Sequence, residues 1–311
     1  MAKILAMFPG QGSQQVGMGR QLLNDFPSAR LVFEEAEDAI RVSVRNLCIN
    51  GPEDELQKTI NQQPCILTLS VAIWRVLREE AGLSPHFFAG HSLGEYSALV
   101  ASGRLDFVHA VRLVRSRGQF MQEAAPAGSG SMAAIIGYDA ERLTHLCAGR
   151  SEELGLCVEV VNYNSPSQQI ISGQRAAVED VCLLLSEQGI RAVRLPVSAP
   201  FHSSLMTPAR DAMAPLLSSL DVSEGEGMMI ANLTGCIEER YHAGLLTDQI
   251  NHPVLWAKSV HAAYEAGCRM FAEIGPGTVL TGLARKILPS VSECSLISTG
   301  RDIGKAMAAL R

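Results

Sequence analysis

The sequence of 311 residues contains no hydrophobic run that approaches the ~18 residues a membrane span requires. Positive charge is also scarce, because 26 lysines and arginines stand against 32 acidic residues and leave a net charge of −6. Non-specific nucleic-acid binding needs clustered positive charge, so this balance argues against a nucleic-acid partner. The short apolar run at the start ends at Pro9 without a cleavage-site pattern, which is typical of a strand rather than a signal peptide. We expect a soluble, cytoplasmic protein with no membrane partner.

Patterns for metal binding and disulfide frameworks are absent too. Cysteine and histidine each occur eight times, yet the sequence has no C-x-x-C pair, no H-x-x-x-H pair and no mixed cluster of the two residue types. In a chain of this length, scattered cysteines in apolar surroundings are typical of free, reduced thiols. We therefore predict no metal site.

A glycine-rich stretch, PGQGSQQVGMG at 9–19, follows the first predicted strand. Its spacing does not meet the G-x-G-x-x-G pattern of dinucleotide-binding loops, so a phosphate cradle is not favoured. The alternative is that this turn brings a backbone N–H or the Gln11 amide to the carboxyl end of a neighbouring strand. Open α/β sheets place their functional sites at that edge.

Strand-like and helix-like periods alternate along most of the chain, which predicts an α/β fold with a mostly parallel sheet and helices on both faces. Between residues 128 and 197 the predicted order changes to βαββαβ, the ferredoxin-like pattern. We predict a hydrolase-like large domain with a nucleophile elbow, formed by residues 1–127 and 198–311. Residues 128–197 form an inserted, ferredoxin-like small domain. The stretch MMIANLTG at 228–235 is predicted as one strand of the large domain.

Ser92 lies in the pentapeptide GHSLG at 90–94, between an apolar strand and a predicted helix. G-x-S-x-G in that context is the signature of a nucleophile elbow, because side chains at Gly90 and Gly94 would clash where strand and helix approach. The turn exposes the serine hydroxyl at a helix N-terminus, and the Leu93 N–H can donate to a developing oxyanion. The alternative is a packing detail, since the five-residue pattern is common by chance.

A serine nucleophile needs a base. His91 is adjacent, but neighbouring side chains on a strand point in opposite directions, so we interpret it as a residue packed beneath the turn. His202, in SAPFHSSLM, follows the predicted small domain in a loop bounded by prolines and is the best-placed distant histidine. Its position alone is equally compatible with an ordinary surface-loop histidine.

Arg117 lies on the apolar stripe of the helix predicted over 107–123, where a charge is costly unless it is paired. One interpretation is a buried ion pair with an acid of the protein, and spacing alone favours it. The other is a guanidinium that lines a cleft and binds a ligand carboxylate through two parallel hydrogen bonds.

Seven ordered motifs together resemble the malonyl-coenzyme A:acyl-carrier-protein transacylases and the related acyltransferase domains of polyketide synthases. The resemblance covers essentially the whole chain. It depends on FPGQGSQ at 8–14, GHSLGEY at 90–96, RSRGQFMQ at 115–122, NYNSPSQQIISG at 162–173, PFHSSLM at 200–206, QINHPVLW at 249–256 and EIGPGTVLTGL at 273–283.

The resemblance implies a role for each matching position. Ser92 is the nucleophile and His202 its general base, oriented by the backbone carbonyl of Gln249 rather than by an acid. Gln11 and Leu93 form the oxyanion hole, and Arg117 binds the free carboxylate of the malonyl group. The substrate pocket includes Met121, Asn162 and Phe201.

The resemblance also implies malonyl-coenzyme A as substrate, phosphopantetheinylated acyl carrier protein as partner and no permanently bound cofactor. Phe201 and Leu93 favour malonyl over methylmalonyl groups, although one methyl group is worth only about 1–3 kcal/mol. Malonyl transfer for fatty-acid synthesis is the first hypothesis, and a freestanding acyltransferase for polyketide assembly is the second. A serine hydrolase or thioesterase and a catalytically silent scaffold are the alternatives from other classes.

Overall fold

The computed structural model describes residues 2–126, 128–197, 199–300 and 302–310. Residues 127 and 198, where the predicted domain boundaries fall, lie outside these ranges, so the division at 1–127, 128–197 and 198–311 stays a prediction. The strands are β1 (Lys3–Phe8), β2 (Phe87–Gly90), β3 (Gly130–Ile136), β4 (Val158–Ser165), β5 (Gln168–Gln174), β6 (Arg191–Arg194), β7 (Met228–Ile230), β8 (Ile237–Glu238), β9 (Cys268–Glu273) and β10 (Ser295–Ser298).

The helices surround these strands, and two short 3-10 turns lie at Ser204–Met206 and Val291–Glu293. In the described ranges, no helix has both the length and the apolar character to cross a membrane. The helices are α1 (Arg20–Asp25), α2 (Pro27–Ile40), α3 (Val44–Asn50), α4 (Glu53–Gln57), α5 (Thr59–Ala81), α6 (Gly94–Ala101), α7 (Phe107–Glu123), α8 (Ala140–Leu154), α9 (Arg175–Glu187), α10 (Thr207–Leu217), α11 (Ala243–Gln249), α12 (Trp256–Glu265), α13 (Val279–Ile287) and α14 (Ile303–Leu310).

The larger sheet has the strand order β10-β9-β1-β2-β7-β8. Its strands run parallel from β10 to β7, and only the short edge strand β8 is antiparallel. The central strand β1 reads as a continuous apolar run because both faces of a parallel sheet are covered. Phe8 packs on one face in a core that includes α5, whereas Leu5 and Met7 pack on the other with Trp256 of α12. The predicted α/β fold with a mostly parallel sheet is confirmed.

The smaller sheet has the order β4-β5-β3-β6 and is antiparallel throughout. Helices α8 and α9 cover one face through a separate apolar cluster that includes Leu143, Val181 and Ile135. This is the predicted βαββαβ arrangement. The N–H of Val254 donates to Val161 of β4, and the N–H of Tyr163 donates to Val254, so β4 is anchored to the segment between α11 and α12.

The strand predicted over 228–235 is shorter than expected, because β7 ends at Ile230. A tight turn follows, in which the Ala231 N–H donates to Cys236 and the chain returns as β8. Asn232 therefore occupies a turn at the carboxyl end of the sheet instead of a strand interior. That edge also carries the loop after β2, which contains Ser92.

At Gly90 and Gly94, where β2, α6 and β1 approach one another, the turn between β2 and α6 has room for no residue larger than glycine. A Cβ added at Gly90 would lie 1.9 Å from the carbonyl carbon of Gly94, and one added at Gly94 would lie 2.0 Å from the carbonyl oxygen of Phe8. Backbone atoms cannot move aside without displacing β1 or α6. The predicted elbow is present, with Ser92 at a φ of 53° at its apex.

We expect Gly94→Ala to lower the free energy of unfolding by about 3 kcal/mol, since overpacking against backbone is relieved only by displacing an element. Gly282→Ala is the matched control, because an added Cβ on α13 meets nothing within 4 Å. That control should be neutral or stabilising by up to about 1 kcal/mol. Urea unfolding measures both, and equal effects would show that the elbow is not sterically constrained.

Candidate active site

Ser92 is held in its left-handed conformation by Asn232. The Ser92 N–H donates to Asn232 Oδ1 at 2.7 Å, and Asn232 Nδ2 donates to the carbonyl of Gly90. A left-handed backbone is costly for a residue with a side chain, so it persists only where its surroundings enforce it. Asn232 is not identifiable as a site residue from the sequence, because it lies in the stretch predicted as a strand.

Ser92 Oγ lies 2.7 Å from His202 Nε2, although the two residues are 110 positions apart. The other ring nitrogen, Nδ1, lies 2.9 Å from the carbonyl oxygen of Gln249. A carbonyl can only accept, so Nδ1 carries the proton and donates it. In the neutral ring Nε2 is then the acceptor for the Ser92 hydroxyl. His202 is also left-handed, with a φ of 62°.

The His202 imidazole is neutral over the whole physiological range. Burial lowers the pKa of His202 to about 3, and the positive charge of Arg117 is the second cause of this shift. Only 5% of the residue is exposed. A neutral ring can take up a proton from Ser92, whereas an imidazolium cannot.

His91 has partners of its own and does not contact the Ser92 hydroxyl. Its Nε2 lies 2.8 Å from Asn164 Oδ1 of β4, and its ring packs 5.6 Å from that of Trp256. Burial lowers its pKa. The adjacent histidine is therefore packed between the elbow, α12 and the small domain.

Arg117 is completely buried beside Ser92. Its Nη2 donates to Ser92 Oγ at 3.1 Å and to Gln249 Oε1 at 2.9 Å, while Nη1 donates to Gln63 Oε1 at 2.9 Å. Among the described residues, no carboxylate oxygen lies within 4.0 Å of its nitrogens, and its Nε has no hydrogen-bond partner. The helical spacing of Arg117 favoured a direct ion pair, but the groups that accept its hydrogen bonds are two neutral amides and the Ser92 hydroxyl.

Gln249, at the end of α11, connects the groups around Ser92. Its backbone carbonyl accepts from His202, and its side-chain oxygen accepts from Arg117. Its Nε2 donates to the carbonyl of Ser92 at 3.0 Å and to Glu95 Oε2. One residue thereby links the histidine, the guanidinium and the elbow backbone.

Glu95 is a second functional residue that the sequence does not reveal, because an acid in the first turn of a helix such as α6 is explained by the helix dipole alone. The side chain is fully buried and accepts hydrogen bonds from Gln249, Tyr241 and the Asn232 N–H. Burial raises the pKa of Glu95 to about 7, although these hydrogen bonds and the charge of Arg117 oppose that shift.

The two candidates for an oxyanion hole lie in different environments. Leu93 directly precedes α6 as its N-cap residue. Its backbone N–H has no acceptor among the described residues, as is usual for a helix N-terminus. The Gln11 side chain donates one amide hydrogen to Gln62 on α5, and its backbone N–H also has no acceptor in the described chain.

The three predicted pocket residues are all buried, and their polar or sequence neighbours differ. Met121 lies one helical turn after Arg117, with its Sδ 3.7 Å from Gln63 Nε2. Phe201 directly precedes His202, whereas Asn162 Nδ2 lies 3.5 Å from His91 Nε2. Met121 and the Arg117 guanidinium therefore share Gln63 as a partner, whereas Asn162, a residue of β4, lies beside His91.

The arrangement combines a buried serine at the apex of a tight turn, a neutral histidine and a buried cation within hydrogen-bond distance of the serine. It can support nucleophilic acyl chemistry on a substrate that carries a negative charge. No three histidine, cysteine, aspartate or glutamate side chains of the described chain group closely enough to hold a metal ion.

The fold and this site define an acyltransferase: the acyl transferase domain family matches residues 6–309 of the chain. A malonyl CoA-acyl carrier protein transacylase of Bacillus subtilis (strain 168) is 43% identical over 290 residues, which are 92% of this chain and 91% of that protein. One of Escherichia coli (strain K12) is 42% identical over 299 residues, 95% of this chain and 96% of that protein.

Solved structures give the same result. An acyl carrier protein S-malonyltransferase from Vibrio cholerae O1 superposes with a TM-score of 0.89 at 40% identity, covering 96% of this chain and 97% of that one. A malonyl-transacylase in complex with a type II PKS acyl-carrier protein gives 0.93 at 40% identity, covering 99% of this chain and 100% of that one. The chain therefore belongs to the malonyl CoA-acyl carrier protein transacylase family.

We expect the His202 ring resonances to stay constant in NMR titrations from about pH 8 to 5.5, because a buried imidazole beside a guanidinium resists protonation. The signals are assigned by their loss in His202→Asn. A titration midpoint near 6.5 would contradict the buried, neutral state.

Proposed function

We propose that the protein transfers a malonyl group from malonyl-coenzyme A to the phosphopantetheine thiol of acyl carrier protein, through a malonyl ester of Ser92. The observation that carries the proposal is Arg117, a buried guanidinium 3.1 Å from the hydroxyl of a serine that is also bonded to a neutral histidine. Family membership and the names of the relatives support the same activity.

In the first half-reaction His202 Nε2 takes the proton of the Ser92 hydroxyl as the oxygen attacks the thioester carbonyl. The negative charge that forms on the carbonyl oxygen is stabilised by the backbone N–H groups of Leu93 and Gln11. The carbon–sulfur bond then breaks, and coenzyme A leaves as a thiol with the proton from His202. The Gln249 carbonyl stabilises the transient imidazolium and keeps its Nε2 directed at Ser92.

The second half-reaction reverses these steps with a different thiol. His202 takes the proton of the phosphopantetheine thiol, whose sulfur attacks the malonyl ester. The ester bond to Ser92 breaks, and the serine oxygen recovers a proton from His202. The ester must survive until the carrier arrives, so the site has to keep water from the position that the thiol occupies.

Arg117 gives the site its preference for a dicarboxylic acyl group. In a buried site an anionic substrate group gains far more from a guanidinium than it would in water. Within the described part of the chain no acid pairs directly with Arg117, so its charge remains available to the malonyl carboxylate. Met121 and Phe201 are proposed to limit the space around the acyl group.

The carrier protein defines the pathway. We favour fatty-acid synthesis, which the curated relatives support by their names. A freestanding role in polyketide assembly is the second candidate, because one solved relative is a malonyl-transacylase bound to a type II PKS acyl-carrier protein. We also propose a cytoplasmic location, in which the eight free cysteines stay reduced.

Mass spectrometry of the intact protein tests the reaction. After treatment with malonyl-coenzyme A we expect one malonyl group on Ser92, none on Ser92→Ala, and complete discharge on addition of holo acyl carrier protein. A fatty-acid carrier should discharge the ester faster than a polyketide carrier does. Rapid loss of the group to water without a carrier would instead indicate a hydrolase, and no labelling would indicate a silent scaffold.

Replacement of the guanidinium tests selectivity. We expect Arg117→Ala to lower kcat/KM for malonyl-coenzyme A by about 10- to 150-fold, since a hydrogen bond to a charged group contributes about 1.5–3 kcal/mol. Transfer from acetyl-coenzyme A should be unchanged or faster. Arg112→Ala, an exposed arginine on the same helix, is the matched control. Equal losses with both thioesters would refute the carboxylate-binding role.

A further inference from the structure

Glu95 lies inside the protein and makes no contact with the Ser92 hydroxyl. Its Oε1 accepts from the Tyr241 hydroxyl at 2.9 Å and from the Asn232 N–H at 3.1 Å, and its Oε2 accepts from Gln249 Nε2. A fully buried acid usually requires a cation or a metal as its partner. Here three donors converge on it instead, and one of them belongs to the residue that contacts Arg117.

The acceptor character of the carboxylate determines which way the Gln249 amide faces. A carboxylate and the Ser92 carbonyl accept hydrogen bonds only, so the Gln249 Nε2 must face both of them. The amide oxygen then faces the opposite way, toward Arg117 Nη2 at 2.9 Å. With the amide reversed, two donors would face each other at Arg117 and two acceptors at Glu95.

In its ionised form, Glu95 places a negative charge near Arg117, and the described residues form no direct ion pair there. The Glu95 carboxylate and the guanidinium are separated by one amide group, and their charges still attract each other. A carboxylate in direct contact would occupy the nitrogens that a substrate needs. A carboxylate one amide away offsets part of the cost of burying Arg117, while N–H groups of the guanidinium, Nε among them, keep no acceptor in the described chain and remain for the ligand.

We propose that Glu95 is a positioning residue for the malonyl group: through the Gln249 amide it directs the Arg117 guanidinium toward Ser92 and so determines selectivity for a carboxylate-bearing acyl group. This inference rests on the proposed function of the site. It makes Glu95 part of substrate discrimination, with no part in proton transfer at Ser92.

Glu95→Gln tests the proposal, because the neutral amide has a single acceptor oxygen: its nitrogen meets either Gln249 Nε2 or the Asn232 N–H donor to donor, and the negative charge is lost in both orientations. We expect kcat/KM for malonyl-coenzyme A to fall about 10- to 100-fold, mainly through a higher KM. Transfer from acetyl-coenzyme A should change less than about threefold. Glu265→Gln, an exposed acid on α12, is the matched control and should leave both activities unchanged.

Gln249→Met breaks the same link from the other side and keeps the backbone carbonyl that orients His202. It should reproduce the loss of malonyl preference. The double variant should be no worse than either single variant, because both changes remove one shared interaction. If Glu95→Gln does not fold, Gln249→Met alone decides, and an unchanged malonyl-to-acetyl ratio in that variant overturns the proposal.

The remaining outcomes separate this inference from the proposed function. Malonyl labelling of wild-type Ser92 with an unchanged malonyl-to-acetyl ratio in Glu95→Gln would overturn the role of Glu95 alone. Equal loss of both activities, in step with a lower melting temperature, would show a purely structural role and overturn it too. Absence of wild-type labelling would overturn the function on which the inference rests.

Discussion

The guanidinium of Arg117 has no exposed surface and lies against Ser92, which is hydrogen-bonded to His202. Hydrogen bonds from the guanidinium to its neighbours offset the cost of that burial. Gln63 and Gln249 accept two of its hydrogen bonds, Ser92 accepts a third, and the Tyr96 ring lies 5.7 Å from its Cζ. None of these groups carries a charge. The cation is therefore solvated by the protein but not neutralised in contact, which is the state that a buried site needs in order to attract an anionic substrate group.

The backbone supplies the second constraint. Gly90 and Gly94 allow β2 and α6 to cross so closely that Ser92 takes a left-handed conformation, and Asn232 holds it there from the turn after β7. His202 reaches the same point in a left-handed conformation of its own. Two strained residues that face each other at 2.7 Å indicate a site assembled by the fold as a whole and not by either loop.

Local patterns in the sequence were sufficient for the α/β fold, the ferredoxin-like order of the small domain and the position of Ser92 at an elbow. Patterns could not identify Asn232, because a polar residue at the end of an apolar run also fits a strand. They could not reveal the burial of Glu95, whose place in the first turn of α6 has a local explanation. Its partners Asn232 and Gln249 lie 137 and 154 positions away, and only the tertiary fold brings them together.

A crystal structure of the protein treated with malonyl-coenzyme A in the absence of carrier tests the central claim most directly. We predict a malonyl ester on Ser92 whose free carboxylate forms two hydrogen bonds with Arg117, while Gln249 keeps its contacts with His202 and Glu95. The ester carbonyl should face the N–H groups of Leu93 and Gln11. A carboxylate directed into solvent, with Arg117 bonded only to Gln63 and Gln249, would contradict the account.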